Sequence, residues 1–418
     1  MGRGTRRIGA ALVSLVAVAL LAGATATAAA PQAEKLKLGA DIGSPEGVIA
    51  YGKSQLLLLG GLYEEKITRI DEDGTVDRSF GNRGHVGISF YGVTVAPGGK
   101  ILVAGCGHAA GDPDNSDGQI TRLLPNGRPD PSFGAGGTTL IDFGGRIDCA
   151  ESIAIAANGD ILLGGEMTNF RSRGSDAKPA FARLHPDGSL DRSFGDGGVR
   201  VVRNLYETGV YDIAATPDGG VLGIGENIGT QLWKLTAAGS LDPSFGHGGK
   251  LEVPGFGKRG VGGGHNEVEM LEELVVLPSG KILLAGTDWP ARAVAIRLRP
   301  DGRRDRSFGR QGWAVANIAG PTYVGGMTML PGGVLVLAAD SQDRQEKHSD
   351  VGAIAFGPDG RTDPGFGHNG RIRVDLRGWD NVNEEHTVAT LGGRAVIVGS
   401  QGKGKSTWLV TCPPLVGR

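Results

Sequence analysis

Beyond residue 34 the apolar positions gather in short runs such as QLLLLG, KILVAG, DILLGG, KILLAG and RAVIVG, separated by Asn-Gly, Gly-Gly and Pro-Asp-Gly turns. Runs of this length, rich in Val, Ile and Leu and bounded by turn residues, read as β-strands. No stretch after the N-terminus carries the 3.6-residue period of an amphipathic helix. One stretch shows the order of elements: ESIAIA, the turn AANGD, ILLGGE, a variable loop, AFARLH, the turn PDGS, then LDRSFGDGG and VRVVRN. That is four strands to a unit.

The unit repeats. DGTVDRSFGNRGHV, NGRPDPSFGAGGTT, DGSLDRSFGDGGVR, AGSLDPSFGHGGKL, DGRRDRSFGRQGWA and DGRTDPGFGHNGRI share one signature, with Phe at 80, 133, 194, 245, 308 and 366. Spacings of 51 to 63 residues mark stacked supersecondary units, none able to bury its apolar face alone. Four-stranded units at this period are β-propeller blades. The second and third strands each recur seven times, QLLLLG to RAVIVG and KITRI to TWLVT, whereas the strand after the signature recurs six times. KLKLGA, Lys35 to Ala40, supplies the missing copy. The sequence therefore predicts an all-β, seven-bladed propeller of four-stranded antiparallel blades, closed by the N-terminal strand joining the C-terminal blade. The expected boundaries are a signal peptide at 1–28, a linker at 29–34, one propeller at 35–412 and a tail at 413–418. The signature resembles that of the delta-60 repeat family of β-propellers, whose pattern looks like PDGSLDxSFGxxG. The resemblance covers nearly the whole of 35–412 and implies the fold, with almost nothing about chemistry.

Composition sharpens the context. Glycine supplies 74 of 418 residues, against a usual share of about 7%, as a turn-rich chain requires. Arg3, Arg6 and Arg7, an apolar run from Ile8 to Ala22 and the small residues Ala26-Thr27-Ala28 predict a secretory leader, hence a secreted, extracellular protein with no transmembrane anchor in its mature form. Losing that leader takes away three arginines and no acid, moving the formal charge from −2 to −5. A mildly acidic chain without a basic block offers little to a phosphate backbone, so no nucleic acid partner is expected. Of the three cysteines, Cys106 ends a second strand and Cys149 leads into the next first strand, so both fall at one end of neighbouring units. A Cys106–Cys149 disulfide is the expectation, with Cys412 left over.

The signature residues have structural reasons: turn aspartates at 77, 130, 191, 242, 305 and 363, a seam-filling Phe, a Gly for tight backbone, and Arg69, Arg122, Arg183, Lys234 and Arg297 on the third strand to pair with the aspartates. Stepping back eight residues from each first turn gives Glu46, Glu151, Glu272 and Glu385 among equivalent first-strand positions. Four carboxylates so placed suit Ca²⁺ or Mg²⁺ at a channel mouth. The alternative is that they face solvent or cap turns. Glu384 and His386 form an E-x-H pair similar to the metal and base residues of streptogramin lyases, which implies a metal-dependent lyase or hydrolase as the alternative function. GSQGKGKS, 399 to 406, fits G-x-x-x-x-G-K-[ST], but the next residues are β-forming and lead to Pro413-Pro414, with no room for the helix a phosphate loop needs. No ATP site is expected there. The function expected is a non-catalytic binding scaffold that meets a ligand, glycan or protein through its variable loops, CGHAAGDPDNSDG, EMTNFRSRGSDAK and DSQDRQEKHSD among them.

Overall fold

A computed structural model describes residues 33–39, 42, 45–60, 65–108, 115–169, 177–203, 208–226, 229–253, 271–288, 291–342, 349–374, 382–401 and 406–415. The expected leader lies outside these residues, as do most of the variable loops. In chain order the strands are β1 (Glu34–Lys37); β2 (Gly47–Tyr51), β3 (Gln55–Leu59), β4 (Lys66–Asp71) and β5 (His85–Gly87); β6 (Gly92–Ala96), β7 (Lys100–His108), β8 (Ser116–Leu123) and β9 (Thr138–Ile141); β10 (Ile147–Ile155), β11 (Ile161–Thr168), β12 (Lys178–Leu184) and β13 (Val199–Val201). They continue with β14 (Asp212–Ala215), β15 (Val221–Glu226), β16 (Thr230–Leu235) and β17 (Lys250–Glu252); β18 (Leu271–Val276), β19 (Ile282–Asp288), β20 (Arg292–Leu298) and β21 (Trp313–Ala316). Last come β22 (Thr322–Leu330), β23 (Val334–Gln342), β24 (Ser349–Phe356) and β25 (Arg371–Val374), then β26 (Val382–Leu391), β27 (Arg394–Gln401) and β28 (Ser406–Thr411).

These strands are β-propeller blades, but not seven separate ones. Five are four-stranded antiparallel sheets: β2–β5, β14–β17, β18–β21, β22–β25 and β26–β28 completed by β1. The others form one eight-stranded sheet, because β8 and β10 are joined. The expectation of seven four-stranded blades is corrected to this arrangement, and the physical reason is local. β10 starts early, so Ile147 pairs in parallel with Ser116 while the Ser116 amide donates to the Arg146 carbonyl at 3.0 Å. A count of repeated strands cannot reveal such a lateral bond.

The chain divides into two compact units, one built on Ser79–Leu284 with Leu298–Arg304, the other on Ala285–Arg297, Asp305–Arg418 and the described residues up to Arg78. In the first, Leu102, Ile120, Phe133, Phe143, Ile153 and Leu163 form one buried cluster, and Phe181, Phe194, Val210 and Trp233 anchor a second. In the other, Val336, Phe366, Val388, Ile397 and Val410 pack together. There β1 pairs antiparallel with β28, Glu34 opposite Thr411 and Lys37 opposite Trp408. β1 itself is exposed; Leu38 and Ile42 behind it, 4% and 1% exposed, hook it to the core. Its lysines blunt what would otherwise be a sticky edge.

The signature is a seam device. Arg122 Nε donates to Asp130 Oδ2 at 2.8 Å and Nη2 to Ser132 Oγ at 3.1 Å, while its guanidinium lies 4.5 Å over the Phe133 ring. Nη1 donates to the Pro186 carbonyl in the next repeat's turn. Arg183 with Asp191 and Phe194 and Arg297 with Asp305 and Phe308 repeat the arrangement. Lys234 substitutes in its copy, 2.8 Å from both Asp242 and Asp218. The following turn closes the seam: the Gly134 amide donates to the Asp187 carbonyl at 3.0 Å, and a Cβ on Gly188 would meet the Phe133 ring at 2.9 Å. Phe133, Phe194 and Phe308 are thus each buried under their own Arg, and Gly188, Gly239 and Gly360 of the following turn close on them.

Candidate functional site

Glu46 precedes β2, its amide donating to the Leu59 carbonyl at 2.7 Å, and Glu151 is the bulged residue of β10, between Ala150 and Ser152. They belong to different compact units. Glu272 lies in β18 and Glu384, Glu385 and His386 in β26, with side chains outside the described residues. Register refines their equivalence. Ser152 pairs with Gly164, the fifth residue of DILLGG, and Thr387 pairs with Val398, the fifth of RAVIVG. His386 pairs with Gly399 as Ala150 pairs with Gly165, so neither Glu385 nor His386 takes the bulged place of Glu151. Two local features break the count back from the turn: a tighter hairpin, Leu391 opposite Arg394, and a bulge that falls between Val382 and His386 instead of at the place of Glu151.

The first strands hold a different carboxylate that sequence reading passed over. Asp212 opens β14 and is fully buried, accepting from Ser152 Oγ at 3.0 Å, the Ile213 amide at 2.8 Å and the Leu274 amide at 3.2 Å. It ties β10 and β18 to its own strand. Burial pushes its pKa up to about 7 against the pull of those donors. The signal was a lone acid entering an apolar strand, YDIAA, which has no repeat counterpart to draw attention to it.

At the variable-loop end of the eight-stranded sheet, a disulfide joins Cys106 of β7 to Cys149 of β10, with Cα atoms 4.6 Å apart. Cys412 is a buried free thiol whose pKa burial pushes up to about 12. Beside the disulfide lie Asp117 at the start of β8, Asp142 in the loop after β9, and Asp148 in β10. One carboxylate oxygen from each falls within 4.8 Å of the others. Asp148 is 0% exposed; its Oδ2 accepts from the Phe143 amide at 2.7 Å and the Gly145 amide at 3.2 Å, and its Oδ1 is buried without a partner. Burial raises the Asp148 pKa to about 6 despite the two amides, and Asp142 and Asp117 push it further in the same direction. Burial, then Asp142, raises that of Asp117. No Lys, Arg or His among the described residues makes an ion pair with any of the three.

A second acid and histidine group, Asp160, His185 and Asp191, is accounted for by structure. Asp191 is bonded to Ser193 and Arg183, and Asp160 accepts from Asn158 at 2.7 Å. The phosphate-loop pattern ends at Ser406, which opens β28, so a strand stands where a nucleotide site requires a helix N-terminus.

Residues 97–133, 156–194 and 277–308 match a family described as a domain of unknown function (DUF5122) beta-propeller. Each matched segment ends on a signature Phe. No curated protein matches. Among solved structures, the WD40 β-propeller domain of Doa1 is 11% identical over 90% of this chain and 95% of its own, with a TM-score of 0.46. The polysaccharide lyase Uly1 is 12% identical over 88% of this chain and 90% of its own, TM-score 0.49. A Bacteroides caccae protein of unknown function is 12% identical over 77% and 94%, TM-score 0.43. At these values the likenesses bear on neither ligand nor activity. No helix among the described residues is long and apolar enough to cross a membrane. Over three of its repeats, then, the chain is similar to a β-propeller family whose function is unknown.

Proposed function

We propose that this protein is a secreted, non-catalytic binding scaffold of delta-60 repeat type, recognising a glycan or protein through the loops that join second to third strands. The observation that carries the reading is where the recurring charges go. Arg122, Arg183 and Arg297, with their aspartates and serines, are spent on seams between repeats. What varies instead is the connection between second and third strands, as binding surfaces do. The test is a panel of neutral and acidic polysaccharides, scored for retention of the protein and for new reducing ends or unsaturated uronate. Binding without turnover is expected. Turnover that His386→Ala abolishes would replace the scaffold by a lyase or hydrolase built on Glu384 and His386.

A further inference from the structure

We propose that Asp117, Asp142 and Asp148 form a divalent-cation site, selective for Ca²⁺, that clamps the loop 142–148 onto β8. Three carboxylates converge without a cationic side chain among the described residues, and one oxygen of the fully buried Asp148 has no donor. Burying such an oxygen is costly unless something satisfies it. The site around it is shaped. The Gly144 amide fixes Asp142 Oδ1 at 2.6 Å, and the Phe143 and Gly145 amides hold the other Asp148 oxygen. A side chain at Gly145 would run into Asp148 Oδ1 and the Thr168 carbonyl, so the loop passes where only glycine fits.

The number of protein ligands chooses the ion. Three carboxylates gathered in one place suit Ca²⁺, which takes six to eight oxygen ligands in flexible geometry. Mg²⁺ gives up its waters reluctantly and is usually held by only one or two carboxylates. Asp142 is exposed, so water completes the shell from the solvent side. The ion would be the third tie on one corner, alongside the Ser116–Ile147 bridge and the Cys106–Cys149 disulfide. It would fix the end of the eight-stranded sheet where β7 finishes and β8 begins.

The experiment is calorimetric titration of CaCl₂ into the whole, disulfide-bonded protein after chelation and dialysis. One saturable site is expected, at about 10⁻³ M or tighter, the range of extracellular calcium modules. Asp142→Asn should weaken it by about tenfold or more while melting like wild type in EDTA, because Asp142 is exposed. Asp148→Asn should weaken it similarly, and Glu151→Gln should leave it unchanged. No saturable heat up to about 10 mM CaCl₂, unaltered binding in Asp142→Asn, or loss of binding in Glu151→Gln would overturn the site. Equal affinity for MgCl₂ would overturn the choice of ion.

Discussion

Asp212 and the signature aspartates show how one residue type serves opposite ends of the pH scale. The Asp212 pKa of about 7 lies above its unfolded value of 3.8, so between those limits the folded chain holds a proton that the unfolded chain has released. Its stabilising contribution is complete below about pH 4 and is lost as pH rises through 7. Urea unfolding at pH 5 and pH 8 should therefore show wild type losing about 3 kcal/mol relative to Asp212→Asn. Parallel behaviour of the two proteins would refute the assignment. Asp191 runs the other way: bonded first to Ser193 and then to Arg183, its pKa is held down to about 2. Its contribution is present above about pH 4 and fades as pH falls towards 2. Glycine offers a second residue-scale comparison. Gly188, φ +91°, faces the Phe133 ring at 2.9 Å from a built Cβ, whereas Gly136, φ +65°, has nothing within 4 Å. Both substitutions to Ala incur backbone strain of about 1 kcal/mol, but Gly188→Ala adds overpacking of about 1–3 kcal/mol, so its melting point should fall clearly further.

At the scale of elements, strand order within each repeat was legible because turn glycines and β-branched runs alternate without ambiguity. The pairing of Arg122 with Asp130, and of its counterparts, followed from the third strand and the signature recurring together. The repeat register placed Cys106 and Cys149 at one end of neighbouring strand runs, and the disulfide joins those two residues. What the register could not show is the fusion of β8 with β10, since Ser116–Ile147 is a single bond outside the repeated pattern. Nor could it show that Glu151 is bulged out of its ladder while His386 is paired with Gly399. The acids 117, 142 and 148 were missed for the same reason: they come from three elements of one place, not from equivalent places. Closing a 43-residue separation, the disulfide should contribute about 4 kcal/mol by loop entropy. Cys149→Ser in the whole protein should lower stability by up to that amount, measured by denaturant unfolding; an unchanged midpoint would show that the bridge and the loop hold this corner without it.

Across the molecule, the repeated polar residues are spent on building seams between blades, and the segments free to vary lie between second and third strands. That division is the reason fold was readable from this sequence and ligand was not: the fold is written once per repeat, while each loop is written once. The central claim is that binding resides in those loops and stability in the seams. The most direct measurement replaces residues 171–176 and 343–348 with Gly-Ser segments of equal length and compares melting temperature and polysaccharide retention with wild type. The account predicts an unchanged melt and lost retention; retained binding, or loss of binding only together with the fold, would contradict it.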